Sequence, residues 1–175
     1  MEYRRCFFIG HREASEEILP ALTQAIEQHI SEYGVTDFIV GSYGGFDRLV
    51  AAVLAKAKER HPNITLTLLL PYHPAERQIE LPKNFDRSFY PTGMERVPRK
   101  FAILRANRFM VDHADYLIAY AWHPASNAQD LLEYALKREK KGLIHVTRIN
   151  CTKPYSHPTD EEPQNCIDYI ELRMI

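Results

Sequence analysis

Short apolar runs alternate along this chain with longer stretches of helical period. The run Arg4–Ile9, RRCFFI, closes on Gly10-His11-Arg12 and predicts a first strand. Ile18, Leu19, Leu22, Ile26 and Ile30 then recur at helical spacing. Ser15 is placed to cap that helix, Glu16 and Glu17 suit the positive end of its dipole, and Gly34 is placed to stop it. Pro20 falls near the start, where a missing N–H costs least. Asp37–Val40 reads as a second strand, about 46–60 as a helix, and Ile64–Leu70, ITLTLLL, as a third strand. That last run has no polar alternation at its end, which suits a parallel strand covered on both faces. Residues 75–85 suggest a short helix and a loop, and DRSFYP a short strand. A helix over 98–113, a strand over Asp115–Trp122, a helix over 128–140 and a strand over Leu143–Thr147 complete the pattern.

Strands that alternate with helices imply right-handed crossovers and an α/β fold: a Rossmann-like, doubly wound, mostly parallel sheet with helices on both faces. The pattern assigns residues 1–149 to one domain and 150–175 to a C-terminal arm with few apolar anchors, apart from CIDYIELRMI, which could pair as a strand. A length of 175 residues with 45% apolar content supports one real core. Lys plus Arg (22) nearly balances Asp plus Glu (23), so no global field collects nucleic acid or anionic membrane. No apolar run reaches the ~20 residues of a membrane span. Cys6, Cys151 and Cys166 are sparse and scattered, which argues against a disulfide framework; Cys6 suits a buried position. Together these features predict a cytoplasmic protein.

In a sheet of this kind ligands sit beyond the carboxyl ends of the strands, at the topological switch. The segments of interest are therefore Gly10-His11-Arg12, Ser42-Tyr43-Gly44-Gly45, Pro71-Tyr72-His73 and 122–129. Gly44 and Gly45 precede a helix whose free N–H groups favour a phosphate or carboxylate. The same glycines also serve a sharp strand-to-helix turn. Asp47 suits a cap or first-turn acid, or an acceptor for a ribose hydroxyl. Arg12 can fork onto phosphate oxygens or pair with a nearby acid. His11 can serve the ligand or be satisfied by backbone. His73 and Arg77 raise the same two readings, with surface roles ahead. Tyr43, Tyr72 and Trp122 can stack a base or pack at the rim. Glu133 can act as a general acid/base if its helix presents it to the cleft; otherwise it is solvated surface. The eight histidines lack metal-ligand spacing, so no metal site is predicted.

The segments FFIGHR, FIVGSYGGFD, LLLPYHP, RANRFMVDHADYLIAYAW and LLEYAL occur in an order that resembles the YpsA-like branch of the SLOG superfamily. That superfamily takes in the Lonely-Guy phosphoribohydrolases and the SMF/DprA proteins. The resemblance covers about the first 147 residues. It implies binding of a nucleotide or nucleotide derivative, in a sensing or binding role, without naming a cofactor. It assigns ligand contacts to Gly10, His11, Arg12, Ser42, Gly44, Gly45, Arg105, Asn107 and Arg108. Where Lonely-Guy enzymes carry PGGxGTxxE, this chain reads His123-Pro-Ala-Ser-Asn-Ala-Gln129. Ser126 and Asn127 can still donate side-chain hydrogen bonds there, and Glu133 sits near the place of the motif's acid. An N-glycosidic hydrolase would use Glu133 with Arg105 or Arg108. Binding of single-stranded DNA, as in DprA-like relatives, would use a local patch of Arg96, Arg99, Lys100, Arg105 and Arg108. The resemblance also implies that copies of the chain can pair.

Overall fold

The computed structural model describes residues 4–150. Apart from Asn150, the predicted C-terminal arm lies outside the described residues, with Cys151, His157 and Cys166. The elements run β1 Arg5–Gly10, α1 Leu19–Ser31, β2 Asp37–Val40, α2 Gly45–Arg60, β3 Thr65–Leu69, β4 Arg87–Phe89, α3 Ala102–His113, β5 Tyr116–Tyr120, α4 Asn127–Glu139 and β6 His145–Arg148. The six strands form one sheet in the order β4-β3-β2-β1-β5-β6, and every pairing is parallel.

Alternation along β1 divides the core into two layers. Cys6 and Phe8 face one side with Phe38, Leu66 and Ile118, packed by Leu22 and Ile26 of α1 and by Phe46, Val50 and Leu54 of α2. Phe7 and Ile9 face the other side with Ile39, Leu69 and Leu117, packed by Ala106 and Met110 of α3 and by Leu131, Leu132 and Ala135 of α4. Both faces are covered, which explains why the strands read as unbroken apolar runs. Phe8 and Phe38 are each at most 1% exposed, and burial of such a ring contributes about 2–3 kcal/mol.

The local expectations need two corrections. Ser15 does not cap: its hydroxyl bonds Glu17 at 3.3 Å, and a 3-10 turn over Glu16–Ile18 leads into α1, with Pro20 in the first turn. Residues 75–85 form no helix: the Glu76 and Arg77 N–H groups both bond the His73 carbonyl, at 2.9 and 3.1 Å, but that single turn is not continued, and turns carry the chain from β3 to the short edge strand β4. The expected parallel sheet is borne out, with all five strand pairings among the described residues parallel. Gly34 does follow the end of α1, with φ +64°. Among the described residues no helix is long and apolar enough to cross a membrane.

The chain builds β1 through β4 outward in one direction, then returns to the other flank of β1 to lay down β5 and β6. The direction of winding reverses between β1 and β5. Loops leaving the carboxyl ends of those two strands part there and leave a crevice.

Candidate functional site

A cleft of about 570 Å³ opens at this switch point. One wall is the loop after β1, with Gly10, His11, Arg12 and Glu13; another is the turn into α2, with Gly41, Tyr43, Gly44 and Asp47. The opposite side is formed by the loop after β5 and the first turn of α4, from Trp122 to Ala128, and by one stripe of α3.

His11 joins the two sides of the crevice. Its own N–H continues the β1–β5 ladder to the Tyr120 carbonyl at 3.2 Å. Its Nε2 accepts from the amides of Trp122 at 2.8 Å and His123 at 3.0 Å. Two donors on Nε2 require a neutral ring with the proton on Nδ1. Burial lowers the His11 pKa, and the neighbouring His123 lowers it further, which keeps the ring in that state. The Trp122 ring stands edge-on to His11 at 5.2 Å and is 38% exposed at the cleft mouth.

Two of the four amides expected to form a cradle in the glycine loop are taken, while those of Ser42 and Gly44 have no acceptor among the described residues. The Gly45 N–H donates to the Arg12 carbonyl at 2.9 Å, and the Tyr43 N–H donates to Asp47 Oδ2 at 3.0 Å. Gly44, not Asp47, holds the N-cap position of α2, and Asp47 reaches back from the first turn. The glycines are explained by close approach: a Cβ on Gly45 would lie 2.4 Å from the Arg12 carbonyl oxygen, and one on Gly10 would lie 2.3 Å from the Phe46 ring. Asp47 remains in the cleft wall, and burial raises its pKa against the opposing bond from Tyr43.

A second set of open amides lies at α4. Ser126 caps that helix by accepting from the Gln129 N–H at 3.2 Å. Among the described residues nothing accepts from the N–H groups of Asn127 and Ala128, which line the cleft. This helix start carries the partial positive charge of the α4 dipole. Ala125, just before it, holds φ +57°, a left-handed conformation in a position without glycine.

The cleft therefore brings together Gly10, His11, Arg12, Tyr43, Gly44, Asp47, Asn107, Ser126 and Asn127. It leaves out five expected residues. Gly45 is buried behind the Arg12 carbonyl, and Ser42 is exposed outside the lining. Arg105 is exposed on another side of α3, while Arg108 lies over the Tyr134 ring and pairs with Asp112 at 3.9 Å. Glu133 is exposed on the second turn of α4 and takes a 3.4 Å bond from Gln129. A residue six positions past Asn127 is about 9 Å further along the axis and rotated away from the helix start. The acid/base placement for Glu133 fails on this geometry.

Lys100, Ile103, Leu104 and Asn107 form the lining stripe just before and along α3. The spacing i, i+3, i+4, i+7 marks them as one helical face, a signal already present in the sequence. Charged groups in the lining are Arg12 and Lys100 against Glu13 and Asp47, so the cleft is bipolar rather than uniformly basic. Among the described residues no cluster of three or more His, Cys, Asp or Glu is placed to hold a metal.

No protein-family model matches the chain, and no curated protein matches it in sequence. Among solved structures it is similar to the X-ray structure of DNA processing protein A (DprA) from Streptococcus pneumoniae, with a TM-score of 0.58 and 15% sequence identity. The match covers 83% of this chain and 50% of that one, so this chain spans about half that protein's length. At such identity the likeness shows a shared α/β Rossmann-like fold.

Proposed function

We propose that the chain binds a nucleotide or nucleotide-derived ligand across the switch-point cleft, in a binding or sensing role. The observation that carries this reading is the pair of free amides at Asn127 and Ala128, set in the same cleft as the Asp47 carboxylate. A phosphate suits the α4 start, with Arg12 and Lys100 as neighbouring donors. A diol suits Asp47, and an exposed indole at Trp122 suits a base. A nucleoside phosphate carries all three groups; a simple anion would leave Asp47 and Glu13 unfavourably placed. This reading sets the phosphate on α4 rather than on the glycine turn, where two of the amides are already taken. The ordered motifs that resemble the YpsA-like SLOG branch support the same ligand class. Glycosidic hydrolysis loses support because Glu133 lies outside the cleft lining.

Calorimetry with nucleoside monophosphates, NAD and ADP-ribose tests this reading. At least one should bind at about millimolar or better, and the matching dephosphorylated nucleoside should bind at least about tenfold more weakly. Lys100→Ala should weaken the phosphate ligand and leave the nucleoside unchanged. No heat and no thermal stabilisation by any of these ligands on native protein would overturn it.

A second reading rests on the rim. Arg77 and Arg99 lie over the Tyr72 ring at 5.9 and 5.3 Å, and Lys100 lies over Phe101 at 4.9 Å. Cations interleaved with aromatics suit single-stranded nucleic acid, and the solved neighbour is named a DNA processing protein. Filter binding across a salt series separates the two readings, since contacts to several phosphates must weaken steeply as salt rises.

A further inference from the structure

A second cavity, of about 200 Å³, lies at the opposite end of the sheet and shares no lining residue with the cleft. Arg5, Asp37 and Arg87, the first residues of β1, β2 and β4, meet there, and His113 at the end of α3 completes the polar rim. Phe89 and Phe109 supply flat apolar wall, their rings 6.0 Å apart.

Asp37 is 2% exposed, yet both of its oxygens are already occupied. Oδ1 accepts from the Thr67 hydroxyl at 2.8 Å, and Oδ2 accepts from Arg87 at 2.9 Å. Arg87 also donates from Nε to Thr67 at 3.1 Å, closing a triangle that ties β2, β3 and β4 together. Arg5 is surplus to that triangle. Its Nε stands 3.6 Å from Asp37 Oδ2, beyond hydrogen-bond range, and the side chain is 47% exposed. Within the lining the two guanidiniums and one carboxylate sum to one positive charge; just outside it, Asp115 Oδ2 accepts from the Arg5 N–H at 2.8 Å. His113 donates from Nδ1 to its own helix at the Phe109 carbonyl, 2.7 Å away, and stacks on Phe109 at 4.0 Å. The carboxylate triangle serves the fold and leaves the Arg5 guanidinium half-exposed in the same lining, paired with Asp37 by charge alone.

We propose that this cavity is a second ligand site that takes a small carboxylic acid with a flat apolar body, its carboxylate on Arg5 and Arg87 and its body against the wall that Phe89 and Phe109 form. The size agrees, since the space equals roughly seven waters at about 30 Å³ each, too small for a nucleotide. The proposal stands apart from the nucleotide reading, and its readout lies at the other end of the sheet.

Benzoate is the probe, and benzamide, of the same shape without the charge, is the control. Titration of the full chain, followed by nuclear magnetic resonance to about 10 mM, should move signals of Arg5, Arg87, Ser88, Phe89 and His113 and leave the cleft unmoved. Benzamide should bind at least about tenfold more weakly, and Arg5→Gln should weaken benzoate about fivefold or more, because a neutral amide cannot pair bidentately with a carboxylate. Arg5 lies outside the Asp37 triangle, so this variant should fold; if it does not, the benzoate–benzamide contrast on native protein decides alone. Equal binding of the two probes, no movement at these residues, or unchanged affinity in folded Arg5→Gln overturns the proposal.

Discussion

Gly45 concentrates the question of what the glycine turn is for. An added methyl would lie 2.4 Å from the Arg12 carbonyl oxygen and 3.4 Å from that of Ala14. The first is a backbone atom and cannot swing aside, so Gly45→Ala must displace the loop after β1 and strain the 2.9 Å bond from Gly45 N–H to Arg12. Overpacking of this kind costs about 1–3 kcal/mol, and a weakened buried hydrogen bond adds to it. We expect urea unfolding of Gly45→Ala to show a loss of at least about 2 kcal/mol, with or without a nucleotide present. Equal stability of variant and native protein would mean that the loop is compliant and the glycine serves some other purpose. The result bears on function as well, because the displaced loop carries Arg12 into the cleft wall.

At the scale of elements, α1 is pinned to the far edge of the sheet by a buried imidazole. His29 is fully buried, donates from Nδ1 to the Ala25 carbonyl at 2.7 Å, and meets the rings of Tyr33, Tyr116 and His145 at 5.0, 5.5 and 6.4 Å. Burial pushes its pKa from 6.5 down to about 4; the bond to Ala25 opposes that shift, and His145 adds to it. Above pH 6.5 both folded and unfolded chains hold this ring neutral, and stability is complete. As pH falls from 6.5 toward 4, the unfolded chain binds a proton that the folded one refuses, and stability declines by roughly 3 kcal/mol. Below about 4 both states are protonated and this contribution levels off. Stability measured by urea unfolding across this window should fall in the native protein and fall less steeply in His29→Gln. The slope that remains belongs in part to His11, whose pKa is also lowered, mainly by burial. An identical slope in the variant would remove His29 from the account.

The same scale shows what could be read from the chain. Strands covered on both faces announced themselves as apolar runs, and β3 lies within one residue at each end of the predicted ITLTLLL span. Faces of helices were harder. In α3 the polar residues Arg105, Asn107 and Arg108 looked like one set, but successive residues turn by about 100°, so Asn107 reaches the cleft while its neighbours point elsewhere. The buried stripe Ala102, Ala106 and Met110 fixes that rotation, and small alanines give a weaker periodic signal than leucines. The occupied amides of the glycine turn, those of Tyr43 and Gly45, are hidden in the sequence for a different reason. Asp47, the partner of Tyr43, is local, four residues on, whereas Arg12, the partner of Gly45, becomes a neighbour only once β1 and β2 have paired.

For the whole molecule, the cleft matters because its walls belong to the two halves of the winding. Arg12, Gly44 and Asp47 come from the half that builds β1 to β4, and Trp122, Asn127 and Ala128 from the half that builds β5 and β6. In the free protein the direct polar link described across the crevice mouth is His11, through its two bonds at 2.8 and 3.0 Å to the loop after β5. A ligand seated on the α4 amides and on Asp47 would add a second link, and would tie both loops down at once. Ligand at about a hundred times its dissociation constant stabilises the bound state by roughly 2.7 kcal/mol, enough to slow amide exchange wherever opening must release it. Hydrogen exchange on the full chain with a saturating nucleotide should therefore show protection appearing together in residues 10–13 and 121–129. The amides of Asn127 and Ala128 should change most, because they have no acceptor among the described residues in the free protein. Exchange across β4 and the end of α3, which flank the second cavity, should stay as it was. Protection confined to one wall would reduce the cleft to a one-sided surface site, and the spanning arrangement of phosphate, diol and base would fall with it.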